Sequence, residues 1–123
     1  MTPLSQQLAE VFLDEVRSLV RSSFFLHRSE KTERTRSELG FTNEQLKEVI
    51  ESLTAEDFSE IAVELDGSSG TAWVFGKKIS GRDIYIKLEI SRFSNSGDEK
   101  STLYCWSFHF SDRPMSYPFK SRE

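Results

Sequence analysis

A tyrosine, a lysine and a histidine in the second half of the chain are of types that can act together: Tyr85, Lys87 and His109. A phenol can position a group or share its proton. An ammonium can neutralise a phosphate oxygen, and an imidazole can take or give a proton near neutral pH. The segments that carry them, residues 82–90 and 102–110, alternate apolar and polar with period two, as half-buried strands do. In the first, Ile84, Ile86, Leu88 and Ile90 point one way and Asp83, Tyr85, Lys87 and Glu89 the other. In the second, Tyr104, Trp106, Phe108 and Phe110 form a bulky face, and Leu103, Cys105, Ser107 and His109 a smaller, mixed one. If the bulky face and the isoleucine face share one core, Tyr85, Lys87 and His109 share the opposite surface. A phosphate is a group on which such a trio could act.

The other elements must support that sheet. Leu4, Leu8, Val11, Phe12, Val16, Leu19 and Val20 recur at helical spacing, which predicts an amphipathic helix from Leu4 to Ser22 with Pro3 near its first turn. Residues 23–27 read as a short strand, with His27 as a surface residue. A polar helix follows from Ser29 to Leu39, stopped by Gly40. Thr42 and Gln45 form a capping box that opens a helix with Leu46, Val49, Ile50 and Leu53 on its buried stripe. Thr54 opens a short turn in which Glu56 and Asp57 serve as dipole partners rather than as acid and base. Residues 61–65 and 71–79 read as strands, the latter with Trp73 and Phe75 on one face and Val74 on the other. Between them, residues 66–70 form a loop that lacks the Gly-Lys-Ser/Thr of a phosphate loop. Ser80 and Gly81 suit a tight hairpin. Residues 93–101 read as a polar excursion. The segment after Phe110, with Pro114 and Pro118, reads as a tail across the sheet edge anchored by Tyr117 and Phe119. The sum is α+β: a small antiparallel sheet with helices packed on one face, plus the N-terminal helix. One domain spans 1–123, with the N-terminal helix in 1–23, a helical segment in 24–60 and the sheet with its tail in 61–119.

Composition narrows the class. A chain of 123 residues with 37% hydrophobic content and ten phenylalanines has one core and is too apolar for disorder. No apolar run reaches membrane-span length and the N-terminus lacks a signal-peptide pattern, so no membrane association and a cytoplasmic location are expected. The one cysteine, Cys105, excludes an internal disulfide, and no Cys/His cluster has zinc spacing. Cys105 also lies inside a strand with no turn or helix N-terminus to activate it, which disfavours a cysteine hydrolase. Net charge is −4, but residues 1–66 carry −7 and residues 67–123 carry +3. The sheet half is basic, and its local field can hold phosphate although the whole chain is acidic, since screening limits that field to about 8–10 Å.

Residues 37–41, 53–58, Trp73, 84–88 and 107–109 resemble the MqsR family of type II toxin–antitoxin toxins, which have the RelE-like fold. The likeness covers Arg28 to Phe119 and is strongest from Trp73 onward. It implies a metal-independent mRNA endoribonuclease without a cofactor, held inactive by a cognate antitoxin protein. The family tyrosine falls on Tyr85. The lysine after Ser-Phe falls on His109. The lysine after the Asp-Phe turn falls near Glu60, and the glutamine after the tryptophan on Val74, so two expected groups are absent.

RNA can be cut when its own 2′-hydroxyl attacks the adjacent phosphorus, giving a 2′,3′-cyclic phosphate and a 5′-hydroxyl. On this reading His109 is general acid or base, Lys87 clamps the phosphate and Tyr85 positions it or shares a proton. Lys77, Lys78, Arg82 and Arg113 steer the RNA backbone. Tyr104 or Trp106 would stack on bases if exposed, but the alternation places them in the core. The partners expected are RNA, either free mRNA or mRNA on the ribosome, and the antitoxin, with a homodimer left open. Two alternatives stand: a catalytically degenerate member that binds RNA or protein, and a small interaction module built on the N-terminal helix and the acidic half.

Overall fold

The computed structural model describes residues 4–63, 71–95 and 97–120. Among them the element order is α1 (Leu4–Leu19), β1 (Phe24–Leu26), α2 (Glu30–Leu39), α3 (Asn43–Glu51), a 3-10 turn (Ala55–Asp57), β2 (Phe58–Val63), β3 (Thr71–Ile79), β4 (Arg82–Asn95) and β5 (Asp98–Phe110). The five strands form one sheet in the order β1-β5-β4-β3-β2. Only β1 is parallel to its neighbour, so the sheet is mixed rather than wholly antiparallel. Residues 64 and 65, read as the end of a strand, and the loop at 66–70 lie outside the described residues. The expected polar excursion at 93–101 is instead paired: β4 and β5 zip together as far as Asn95 opposite Asp98.

Local signals account for the helix ends. The Ser29 hydroxyl accepts the Thr32 N–H, and Gly40 closes α2 at φ 67° in the left-handed region. Thr42 and Gln45 exchange both bonds of the capping box. Asp57 reaches back to the Thr54 N–H at 2.9 Å. Ser80 and Gly81, both at positive φ, turn β3 into β4.

The helices cover one face of the sheet. Ala9, Leu13, Val16 and Val20 pack with Leu46, Ile50 and Leu53 over Phe75, Ile84, Ile86, Leu88, Leu103, Cys105 and Phe108. Phe12 stacks on Trp73 with ring centroids 4.7 Å apart. Charge clamps α1 at both flanks. Arg21 bonds Glu51 at 2.6 Å and also Glu44. Arg92 on the sheet grips Glu15. The Arg17 guanidinium donates to the Leu53 carbonyl at 2.7 Å.

The face assignment of β5 corrects the alternation read from sequence. Lys87 pairs with Ser107 but the next residue, Leu88, pairs with Cys105, so Trp106 is an extra residue in the ladder. Such a bulge shifts the side-chain phase by one. Leu103 and Cys105 before it, and Phe108 and Phe110 after it, therefore all face the core. Tyr104 and Trp106 stand on the other face, half-buried and stacked on each other at 5.3 Å.

β5 is a long strand with only a three-residue neighbour on one side, so part of its edge needs other partners. Helix α2 supplies them. The buried Thr32 hydroxyl accepts the Phe108 N–H at 3.2 Å, and the Thr35 hydroxyl accepts the Phe110 N–H at 3.1 Å. His109 is thus held between two residues whose backbones are tied to a helix. On the far side, the tail crosses Gly76: a Cβ there would overlap the Tyr117 hydroxyl and approach Met115 Sδ to 2.8 Å. The Tyr117 hydroxyl donates to Asp83 at 3.1 Å, and Phe119 stacks on Phe58 at 5.3 Å. Burial, with Asp83 adding to it, pushes the Tyr117 phenol up to about 12, so it remains a donor at any pH near neutrality.

Two expectations follow from these contacts. Thr32→Val keeps the side-chain shape but leaves the buried Phe108 N–H without an acceptor. It should cost about 1–3 kcal/mol, read as a lower urea midpoint with an unchanged m-value; a loss below the error of the titration would show that the bond carries no net stability. Gly76→Ala should displace the tail. Trypsin should then cut after Lys120 well before global unfolding, whereas an unaltered cleavage rate would show that the tail is not seated by the Gly76 gap.

Candidate active site

The open face of the sheet is defined by the register. Gly76, Tyr85 and His109 lie side by side across β3, β4 and β5, and the next row is Val74, Lys87 and Ser107. Tyr85 and His109 are direct cross-strand partners, and their rings stack at 5.3 Å with planes 14° apart. The His109 Nδ1 lies 3.0 Å from the Phe110 carbonyl. A carbonyl only accepts, so the contact requires a proton on Nδ1, which leaves Nε2 as the exchangeable nitrogen.

Tyr85 and His109 line a cavity of about 580 Å³ whose other walls are Ser59, Glu60 and the first part of the tail, Ser111 to Ser116. That volume suits a small-molecule or nucleotide-sized group. Arg113 brings a fixed positive charge to it, and the Ser111 hydroxyl donates to the Arg113 carbonyl at 2.6 Å, shaping the turn. Asp112 also lines the cavity and is drawn outward to Lys31 at 3.4 Å.

The remaining sequence candidates separate into three groups. Lys87 shares the face and lies one row along, beside the cavity rather than in its lining. Lys78 lines a second cavity of about 290 Å³ with Glu56, Asp57, Asp83 and Tyr117. Lys77 and Arg82 are on the helix side. Lys77 pairs in register with core residue Ile84 and bonds Asp57 at 3.3 Å. Arg82 lies 3.6 Å over the Phe110 ring and faces Glu38. Both are structural cations here, because the strand pleat sends them away from Tyr85 and His109.

The structure adds three features to the sequence reading. Glu60 is not simply a lost lysine but a carboxylate in the cavity wall. Val74 is 1% exposed and offers no polar group. The aromatic run on the open face is the third: Phe25, 50% exposed, tilts against Tyr104, and His27 against Trp106, whose indole N–H donates to Glu89 at 2.9 Å. The phase switch between Leu103/Cys105 and Phe108/Phe110 was its signal, masked by the size of Tyr104 and Trp106. Cys105 is buried, and burial pushes its thiol up to about 12, which leaves no thiolate for nucleophilic chemistry.

Among the described residues no group of three or more His, Cys, Asp or Glu is placed to hold a metal ion, and no helix is long and apolar enough to cross a membrane. The chain matches no curated protein and no solved structure at a significant level. The family described as motility quorum-sensing regulator, toxin of MqsA, does match, over residues 9–96, a stretch that holds Glu60, Val74, Tyr85 and Lys87 and ends before His109. With more than two thirds of its length inside that match, the chain belongs to the MqsR toxin family.

Proposed function

We propose that this protein is the toxin of a type II toxin–antitoxin pair, a metal-independent endoribonuclease that cuts mRNA in the cytoplasm and is held by a cognate antitoxin protein. The observation that carries the reading is the stacked Tyr85–His109 pair in a cavity that also presents Arg113. Attack of the RNA 2′-hydroxyl on its own phosphate needs a proton taken, a proton given and charge stabilised on phosphorus. His109 exchanges a proton through Nε2. Arg113 reads the phosphate with its planar fork, the geometry that favours arginine over lysine at such groups. Tyr85 sets the imidazole plane, and Lys87 draws the strand toward the row beyond. The ring edges and outer faces of Tyr104 and Trp106 receive the neighbouring bases, each stacked base being worth about 1–3 kcal/mol.

A second reading, binding without cutting, draws on Val74 and Glu60, where an amide and an ammonium are replaced by a buried apolar group and an acid. Expression in a bacterial host separates the two. Wild type should arrest growth and generate new 5′-hydroxyl RNA ends, and folded His109→Ala should lose both, with cleavage down by about 10²–10⁴-fold. A harmless wild type that leaves RNA intact would sink the nuclease reading in favour of the binding one.

A further inference from the structure

We infer that Glu60 is the general base of this site, working across the cavity from His109 as the general acid. The inference rests on the ribonuclease reading and assigns the two proton transfers within it.

The backbone puts Glu60 there by a second irregularity. Phe58 pairs with Phe75, but Glu60 pairs with Val74, so Ser59 is an extra residue in β2. With unbroken register Glu60 would pair with Trp73 and share its core-side phase. The extra residue turns it onto the open face instead. Bulges in β2 and β5 thus act on the same face from opposite sides of the cavity, one aiming Glu60 and the other setting the phase of β5.

Glu60 and His109 wall one cavity. Glu60 and His109 are three strands apart, and neighbouring strands lie about 4.8 Å apart, so their backbones are roughly 14–16 Å apart. Side chains on one sheet face stand roughly perpendicular to it, so the two groups border the cavity at its two ends, and the volume of about 580 Å³ between them leaves room for a phosphodiester with its flanking riboses. The other carboxylates of this face are already engaged. Asp83 accepts from Tyr117, Glu89 from Trp106, and Asp112 faces Lys31. Glu60 is exposed and lines the cavity.

The step balances with the chain's own groups. The Glu60 carboxylate takes the 2′-hydroxyl proton as O2′ bonds to phosphorus. The P–O5′ bond breaks, and O5′ takes the proton from His109 Nε2. The 2′,3′-cyclic phosphate and the 5′-hydroxyl leave, and exchange with water returns Glu60 to the carboxylate and His109 to the imidazolium. Arg113 compensates charge on the non-bridging oxygens.

The test uses the full chain and an RNA oligonucleotide containing its mapped cleavage site, made with either oxygen or sulfur at the 5′-bridging position of the scissile phosphate. A thiolate leaves without a proton, so the sulfur substrate needs no general acid. On the oxygen substrate Glu60→Gln and His109→Ala should each lose about 10²–10⁴-fold. On the sulfur substrate His109→Ala should recover to within about tenfold of wild type while Glu60→Gln stays down by about 10²-fold or more. Glu60→Asp should restore part of the rate lost in Glu60→Gln. Full activity of Glu60→Gln on the oxygen substrate, or its recovery on sulfur in place of His109→Ala, would overturn the assignment while leaving the ribonuclease reading intact. Absence of wild-type cleavage on both substrates would remove the reading and the assignment together.

Discussion

One inserted residue decides which chemistry the sheet presents. Without Trp106 as an extra position, β5 would carry one unbroken alternation, and the residues before and after it could not all meet the helices. With it, Leu103, Cys105, Phe108 and Phe110 fill the core together, and His109 keeps the company of Tyr85. The side chains of Tyr104 and Trp106 are exchanged from the core to the open face by the same step. A bulge leaves a local gap in the ladder, and the tie of His27 N–H to the Cys105 carbonyl just before it, and of Thr32 to Phe108 just after it, hold the strand on both sides. On the proposed reading their rigidity matters, because a proton donor must be fixed to within a fraction of an ångström to act in the transition state.

Much of the fold was legible because its signals are local. The Thr42–Gln45 box, the Gly40 stop and the Ser80–Gly81 turn depend on residues within a few positions of one another, and each forms as the sequence indicates. The alternation of β4 also depends on nothing remote, but the α1 stripe read from sequence was only partly right: Val16 and Val20 are buried, whereas Leu4, Leu8 and Val11 are exposed and Ala9 and Leu13 face the core instead. What the sequence hid was phase. Period two is indifferent to an added residue until a partner strand is known, so the extra positions at Ser59 and Trp106 were invisible, and the bulky-face rule chose the wrong side for two aromatics. The site was legible in part for the same reason. Tyr85 and His109 sit on the open face as read, although the argument that placed His109 there had the phase of the preceding residues inverted.

Charge shows a similar division between local and remote. Positive side chains in the sheet half suggest a basic surface, but the pleat sends Lys77 and Arg82 to the helix side, where Asp57 and Glu38 meet them. The surplus acid of the first half is likewise spent in part on internal pairs, Glu15 with Arg92 and Glu44 and Glu51 with Arg21. Opposite a guanidinium, hydrogen bonding lowers the Glu15 and Glu51 carboxyls below the ordinary range. Exposed pairs of this kind contribute little each, and their role is to fix the seat of α1 on the sheet rather than to stabilise it strongly. Net charge therefore says little about the face that would meet RNA.

The same pleat argument explains how a site can keep its place while its groups change. Gly76 admits Tyr117 and Met115 through its missing side chain, and the tail that those residues seat forms the far wall of the cavity. Neither depends on which titratable group stands at Glu60 or His109. A lysine and a carboxylate at one position perform opposite electrostatic tasks, one favouring phosphate charge and the other opposing it, so an exchange between them is tolerable only if positive charge arrives from elsewhere. Here Arg113, carried by the tail, lies in the same cavity as Glu60. The tail thus does more than close the edge of the sheet: on the proposed reading it brings the cation that would let an acidic wall face a phosphate, and it ties the electrostatics of the cavity to the packing of Tyr117 over Gly76.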